Sequence, residues 1–151
     1  MSELSTTAQR QLATIGKAFA GIAEFSAEKM LEHYTDDLVL EMPYAVPPVT
    51  LNGKPTILKY LRGAFKIFHF SIDITDVHEL VDPTMLILEY TSTGTVTTTG
   101  KVYANRYVGV YWFRDDKICR VREYFPLALK IQSSLCPFRP FRLVDCCRST
   151  R

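Results

Sequence analysis

Glu123 is the residue of this 151-residue sequence best placed to do chemistry. It falls in Ile118–Phe125, a run with strand character. Alternation along a strand puts Cys119, Val121, Glu123 and Phe125 on one face and Arg120, Arg122 and Tyr124 on the other. The first face is apolar apart from Glu123, so it is the inward one. Taking a lone carboxylate out of water disfavours its charged form and raises its pKa, which suits a general acid or base near neutral pH. The structural alternative is a glutamate neutralised by a buried partner such as Arg106 or a tyrosine. One strand earlier, Tyr103, Asn105, Tyr107, Gly109, Tyr111 and Phe113 share a face. A buried phenol needs a hydrogen-bond partner, though tyrosines also favour strands for packing alone.

Other reactive types are sparse. Cys119, Cys136, Cys146 and Cys147 form no C-x-x-C pair, and His33, His69 and His78 stand singly. Reduced, unpaired thiols and no metal site are expected. There is no glycine-rich phosphate loop, no G-x-S-x-G elbow, no H-E-x-x-H and no repeat, so no cofactor is expected. The net charge of +2 argues against nucleic-acid binding. No apolar run approaches the roughly 20 residues of a membrane span. Lys17 interrupts the apolar stretch a secretory signal would need. The expected compartment is cytoplasmic.

The elements that must position Glu123 follow from periodicity. Leu12, Ile15, Phe19, Ile22 and Phe25 make one helical stripe. Ser26 caps a short second helix carrying Met30, Leu31 and Tyr34, and Thr35-Asp36-Asp37 ends it as a solvated turn. Leu38–Met42 is a short strand, and 45–48 is a proline-rich loop. Pro55 opens a third helix with Ile57, Leu61, Ala64, Phe65 and Phe68 on its stripe. The period changes to two from His69, and strands follow at Met85–Thr93, Val102–Phe113 and Ile118–Phe125, the last pair joined by a turn at Asp115-Asp116-Lys117. Helices followed by strands give an α+β domain whose helices cover one face of a curved sheet. The domain is expected over 1–129. Residues 130–151, a Pro/Phe/Arg/Cys-containing tail, carry five bases and one acid, a net of +4, leaving the domain at −2. The tail is either a surface extension or a segment packing Phe138 and Phe141 on the domain mouth or a partner.

The ordered set Tyr34-Thr35-Asp36-Asp37-Leu38, Glu41-Met42-Pro43, Leu51-Asn52-Gly53-Lys54-Pro55-Thr56-Ile57, Gly100–Val108, Phe113–Ile118 and Arg122-Glu123-Tyr124 resembles the SnoaL-like polyketide cyclase and isomerase group of the nuclear-transport-factor-2-like superfamily. The resemblance covers about residues 10–129 and implies a cone: a bent antiparallel sheet around N-terminal helices, an apolar pocket, and a homodimer. It places Gly109, and with it the tyrosine face, in the pocket. Ketosteroid isomerases of the superfamily carry acids where this chain has Met42 and Gly109, and a tyrosine at or beside Phe19, so their machinery is absent. Related isomerases often place an acid at the Glu123 position.

The resemblance and the alternation together imply Glu123, Tyr107 and Tyr103 as catalytic residues. Glu123 and Tyr107 would form the acid/base pair, and Tyr103 would donate to a developing oxyanion. Tyr44, His69, Tyr90, Asn105 and Tyr111 are the expected substrate contacts. Leu86 and Leu88, with Phe70, Ile72 or Ile74, would line the pocket, and Glu89 would point outward. Tyr44 and the Pro47-Pro48 loop would rim it. The implied function is a cofactor-independent isomerase or cyclase of secondary metabolism, acting on a small, apolar, ring-bearing substrate. Epoxide opening by water and non-catalytic ligand binding or partner interaction are the alternatives.

Overall fold

The computed structural model describes residues 3–126. Three helices, α1 (Thr6–Ala23), α2 (Ala27–Leu31) and α3 (Lys54–Ile67), pack on six strands. These are β1 (Tyr34–Met42), β2 (Val49–Asn52), β3 (Phe68–Glu79), β4 (Met85–Val96), β5 (Val102–Arg114) and β6 (Lys117–Tyr124). They form one sheet in the order β2-β1-β6-β5-β4-β3. Every pairing is antiparallel except β1 with β6, which is parallel.

Local chemistry sets the helices. The Ser5 side chain accepts from the Ala8 amide and starts α1; Ser26 accepts from Lys29 and starts α2. Buried Ala8, Gln11, Ile15, Ala18 and Ile22 make the core stripe of α1. Ile57, Leu61 and Phe65 do the same for α3. Burying each large aliphatic side chain is worth about 1.5–3 kcal/mol, and Ile15, Leu38, Ile57, Leu86, Leu88 and Ile118 are all fully enclosed.

Several expectations are corrected. Phe25 leaves the α1 stripe: it follows the helix with φ of 55° and stacks on His69. Phe68 begins β3 rather than ending α3. Tyr34 and Thr35-Asp36-Asp37 belong to β1, not to a helix end, because β1 pairs with β6 from Ile118 onward. The two aspartates remain solvent-facing, with Asp36 paired to Lys54 and Asp37 to Arg114. The strand β2, beyond the proline-rich loop, is too short and mixed to announce itself. The turn at Asp115-Asp116 has positive φ at both residues, the geometry that matches the twist of a tight hairpin.

A bulge changes β6. Phe113 pairs with Ile118 but Trp112 with Arg120, so Cys119 is the extra residue. Ile118, not Cys119, therefore faces the core, and the Cys119 thiol points to the Trp112 carbonyl. Cys119 is a free thiol; the other three cysteines and the tail with Phe138 and Phe141 lie outside the described residues. No described helix is long and apolar enough to cross a membrane.

Candidate active site

Between the helices and the concave face of the sheet lies a cavity of about 130 Å³. One water needs roughly 10–15 Å³ on the same scale, so the space admits a small organic molecule. Helix side chains Phe19, Leu31, Ile57, Leu61 and Phe65 supply apolar walls, and strand phenols supply the opposite wall. Glu123 is the one carboxylate among the described lining residues, and no Lys, Arg or His lines the cavity with it.

Glu123 stands at the end of a chain of two phenols. The Tyr90 hydroxyl donates to Glu123 Oε1 at 2.5 Å, and the Tyr111 hydroxyl donates to Tyr90 at 3.2 Å. Burial, reinforced by the Glu123 charge, pushes the Tyr90 and Tyr111 phenols well above their ordinary pKa. Both remain proton donors, so the chain Tyr111–Tyr90–Glu123 ends on an acceptor. The sequence expectation paired Glu123 with Tyr107 instead. The reason for the difference is Gly109, which sits opposite Glu123 in the β5–β6 register. A Cβ there would lie 2.6 Å from the Tyr111 ring and 2.9 Å from the Tyr90 ring. Its absence makes the space through which Tyr90 reaches across β5.

Tyr107 joins a second group. Its hydroxyl lies 2.6 Å from that of Tyr103 and accepts from Ser92 Oγ at 3.4 Å. Burial, and then the neighbouring Tyr103, raise the Tyr107 pKa. Among the described residues these three hydroxyls share two contacts, so one O–H hydrogen is left over. The Tyr107 ring stacks on Tyr90 at 5.0 Å, and Phe68 and Phe70 pack on Tyr103. The cavity thus presents a carboxylate acceptor and, on adjacent stacked rings, a surplus hydroxyl donor.

The structure brings Glu123, Tyr90, Tyr103, Tyr107 and Tyr111 together in the cavity, with Phe70 and Ile72 beside them. Other expected contacts fall elsewhere. Tyr44 is 64% exposed and packs edge-on against Tyr124. The imidazole of His69 is taken up by the stack with Phe25, and His69 does not line the cavity. Asn105 is buried next to the phenols but not among the lining residues; its Oδ1 accepts from the Arg106 amide, and its Nδ2 has no partner among the described residues. Leu86 and Leu88 fill the core instead of lining the space, and Ile74 is also absent from its walls. Glu89 faces out, as alternation requires, and meets His78. Arg106 is exposed, so of the proposed partners for Glu123 it is a tyrosine that is found. Sequence reasoning missed Tyr34, Tyr60 and Ser92. Tyr60 falls three residues after Ile57 on the α3 stripe, a spacing that could have placed it. No cluster of three or more His, Cys, Asp or Glu able to hold a metal occurs among the described residues.

Known proteins share this architecture. A Bacillus subtilis (strain 168) protein, the uncharacterised YesE, is 31% identical over 121 residues, covering 78% of this chain and 82% of its own. A crystal structure of a Bacillus subtilis protein provisionally assigned as an isomerase superposes with a TM-score of 0.77 at 27% identity, covering 83% of this chain and 92% of that one. A provisionally assigned polyketide cyclase from Xanthomonas campestris has a TM-score of 0.73 at 19% identity, over 84% and 98% of the two chains; that likeness concerns the fold. The sheet and helices are those of the nuclear-transport-factor-2-like cone. The profile of the SnoaL-like domain matches residues 15–121, and the chain belongs to that family.

Proposed function

We propose that the protein is a cofactor-independent acid/base enzyme, an isomerase or cyclase acting on a small, largely apolar, ring-bearing carbonyl compound. The carrying observation is a carboxylate in the wall of an apolar cavity that accepts from the Tyr90 phenol, with the hydroxyls of Tyr103 and Tyr107 lining the same space. Apolar surroundings disfavour the charged form of a carboxylate, which suits a general acid or base near neutral pH. Glu123 would take a proton from carbon next to a carbonyl. The surplus hydroxyl of the Tyr103–Tyr107–Ser92 group would donate to the carbonyl oxygen as it becomes an enolate. Return of the proton to a different carbon completes an isomerisation. Attack of the enolate carbon on a second carbonyl of the same molecule, with the proton delivered to the new alkoxide, completes a cyclisation. Tyr90, backed by Tyr111, would hold the carboxylate in one orientation throughout. The family's structural relatives assigned as isomerase and polyketide cyclase support an enzyme of this kind.

Mass spectrometry on a pool of ring-bearing metabolites tests the reading. A product of unchanged mass, formed only in the presence of the protein, is expected. A gain of one water would replace the proposal with epoxide opening. Ligands that raise the melting temperature and are never converted would replace it with a binding protein.

A further inference from the structure

The hydroxyls grouped around Glu123 and Tyr107 all come from the sheet. Helix α3 contributes one more, that of Tyr60, and its bonding is unlike theirs. Among the described residues, the Tyr60 hydroxyl donates only to the thioether of Met42, at 3.7 Å. Thioether sulfur is a weak acceptor, so this O–H is nearly unspent. Its surroundings are not those of an ordinary surface phenol. Tyr60 lines the cavity although 38% of the residue is exposed, which puts it at the rim. Burial of the hydroxyl, then the charges of Glu123 and Tyr103, raise its pKa, so it stays a donor and lies within electrostatic reach of both. Met42 is buried and lines the same space.

We propose that Tyr60 is a specificity-determining donor at the cavity rim, selecting substrates that carry a second oxygen away from the one met by Tyr103 and Tyr107. This rests on the reading of the cavity as a ligand site and narrows its substrate class to dioxygenated ring compounds. The substrate oxygen takes the Tyr60 hydrogen from the sulfur, exchanging a weak bond for an ordinary one. A ligand lacking that oxygen leaves the phenol on Met42, and so forgoes the gain without meeting a clash. The preference is therefore graded, on the order of five- to tenfold in affinity for one neutral hydrogen bond.

The test uses fluorescence titration of the full chain with 2-naphthol and with the dihydroxynaphthalenes that carry one hydroxyl on each ring. At least one dihydroxy isomer should bind wild type about five- to tenfold tighter than 2-naphthol. Tyr60→Phe, which keeps the ring, should bring that ratio close to one. Tyr44→Phe, outside the cavity, should leave the ratio as it is. Tyr103→Phe should weaken all the probes and so locate them. A ratio preserved in Tyr60→Phe, or no isomer preferred by wild type, overturns the role of Tyr60 and leaves the cavity reading standing. No binding by any probe, or binding indifferent to Tyr103→Phe, overturns the cavity reading and the inference with it.

Discussion

Strand β6 sends side chains to both faces of the sheet, and on each face the hydrogen bonding centres on one glutamate. On the concave face, Glu123 accepts from Tyr90, which accepts from Tyr111. On the convex face, Glu41 of β1 accepts from both Arg120 and Arg122, whose guanidiniums also lie over Trp112. The Arg120 hydrogen bond, seconded by Arg122, holds the Glu41 carboxyl below its ordinary pKa. Such a group has surrendered its basicity to structure. The concave carboxylate accepts from a phenol and lines an apolar cavity. Glu41 is thus paired with two guanidiniums of β6, whereas Glu123, carried by β6 itself, accepts from a phenol of β4.

The largest effect that would break this contrast lies at Glu123. Glu123→Gln keeps the shape and removes the proton acceptor, so turnover should fall about 10²- to 10⁴-fold. Gly109→Ala comes next. Its Cβ would press on the Tyr90 and Tyr111 rings, at a cost of about 1–3 kcal/mol in unfolding free energy for overpacking. Urea denaturation measures the loss, and turnover should drop with it because Tyr90 moves off Glu123.

A spectroscopic test sharpens the same contrast. Tyr34, Tyr60, Tyr90, Tyr107 and Tyr111 all have raised pKa values, chiefly through burial. These five should resist ionisation at the ordinary phenol pH in an alkaline absorbance titration. Because the folded phenols hold protons that the unfolded chain gives up near pH 10, their stabilisation is intact below that pH. It is lost as the pH climbs above it. Ionisation of these five at the ordinary phenol pH would mean the cavity is open to water.

The smallest effect belongs to the convex face. Glu41→Gln should cost at most about 1 kcal/mol, as for pairs near the surface. The Glu41 carboxyl is depressed in the fold, so its contribution is present above the unfolded carboxylate pKa and fades as pH falls through the folded one. The variant should therefore flatten the acid limb of a stability–pH curve.

Much of this arrangement was legible in the sequence. Strict alternation in β5 put Tyr103, Tyr107 and Tyr111 on one face, and burial of that face follows. Alternation in β6 likewise separated Glu123 from Arg120 and Arg122. It failed at Cys119, because a bulge inserts a residue that no local pattern marks. The Glu123–Tyr90 bond was not legible either. It spans three strands and depends on the missing side chain of Gly109, a packing fact rather than a periodicity. Tyr44 and His69 were misplaced because residues at loops and element joints have no period to fix their direction. Tyr34 was misplaced because a single chain does not reveal that β1 extends back to pair with β6.

The most direct measurement sets the two glutamates side by side. Wild type, Glu123→Gln and Glu41→Gln would be incubated with the same metabolite pool in heavy water and the products weighed. With Glu123 as the base, wild type and Glu41→Gln should give an isomeric product carrying deuterium, and Glu123→Gln almost none. Undiminished product from Glu123→Gln would contradict it.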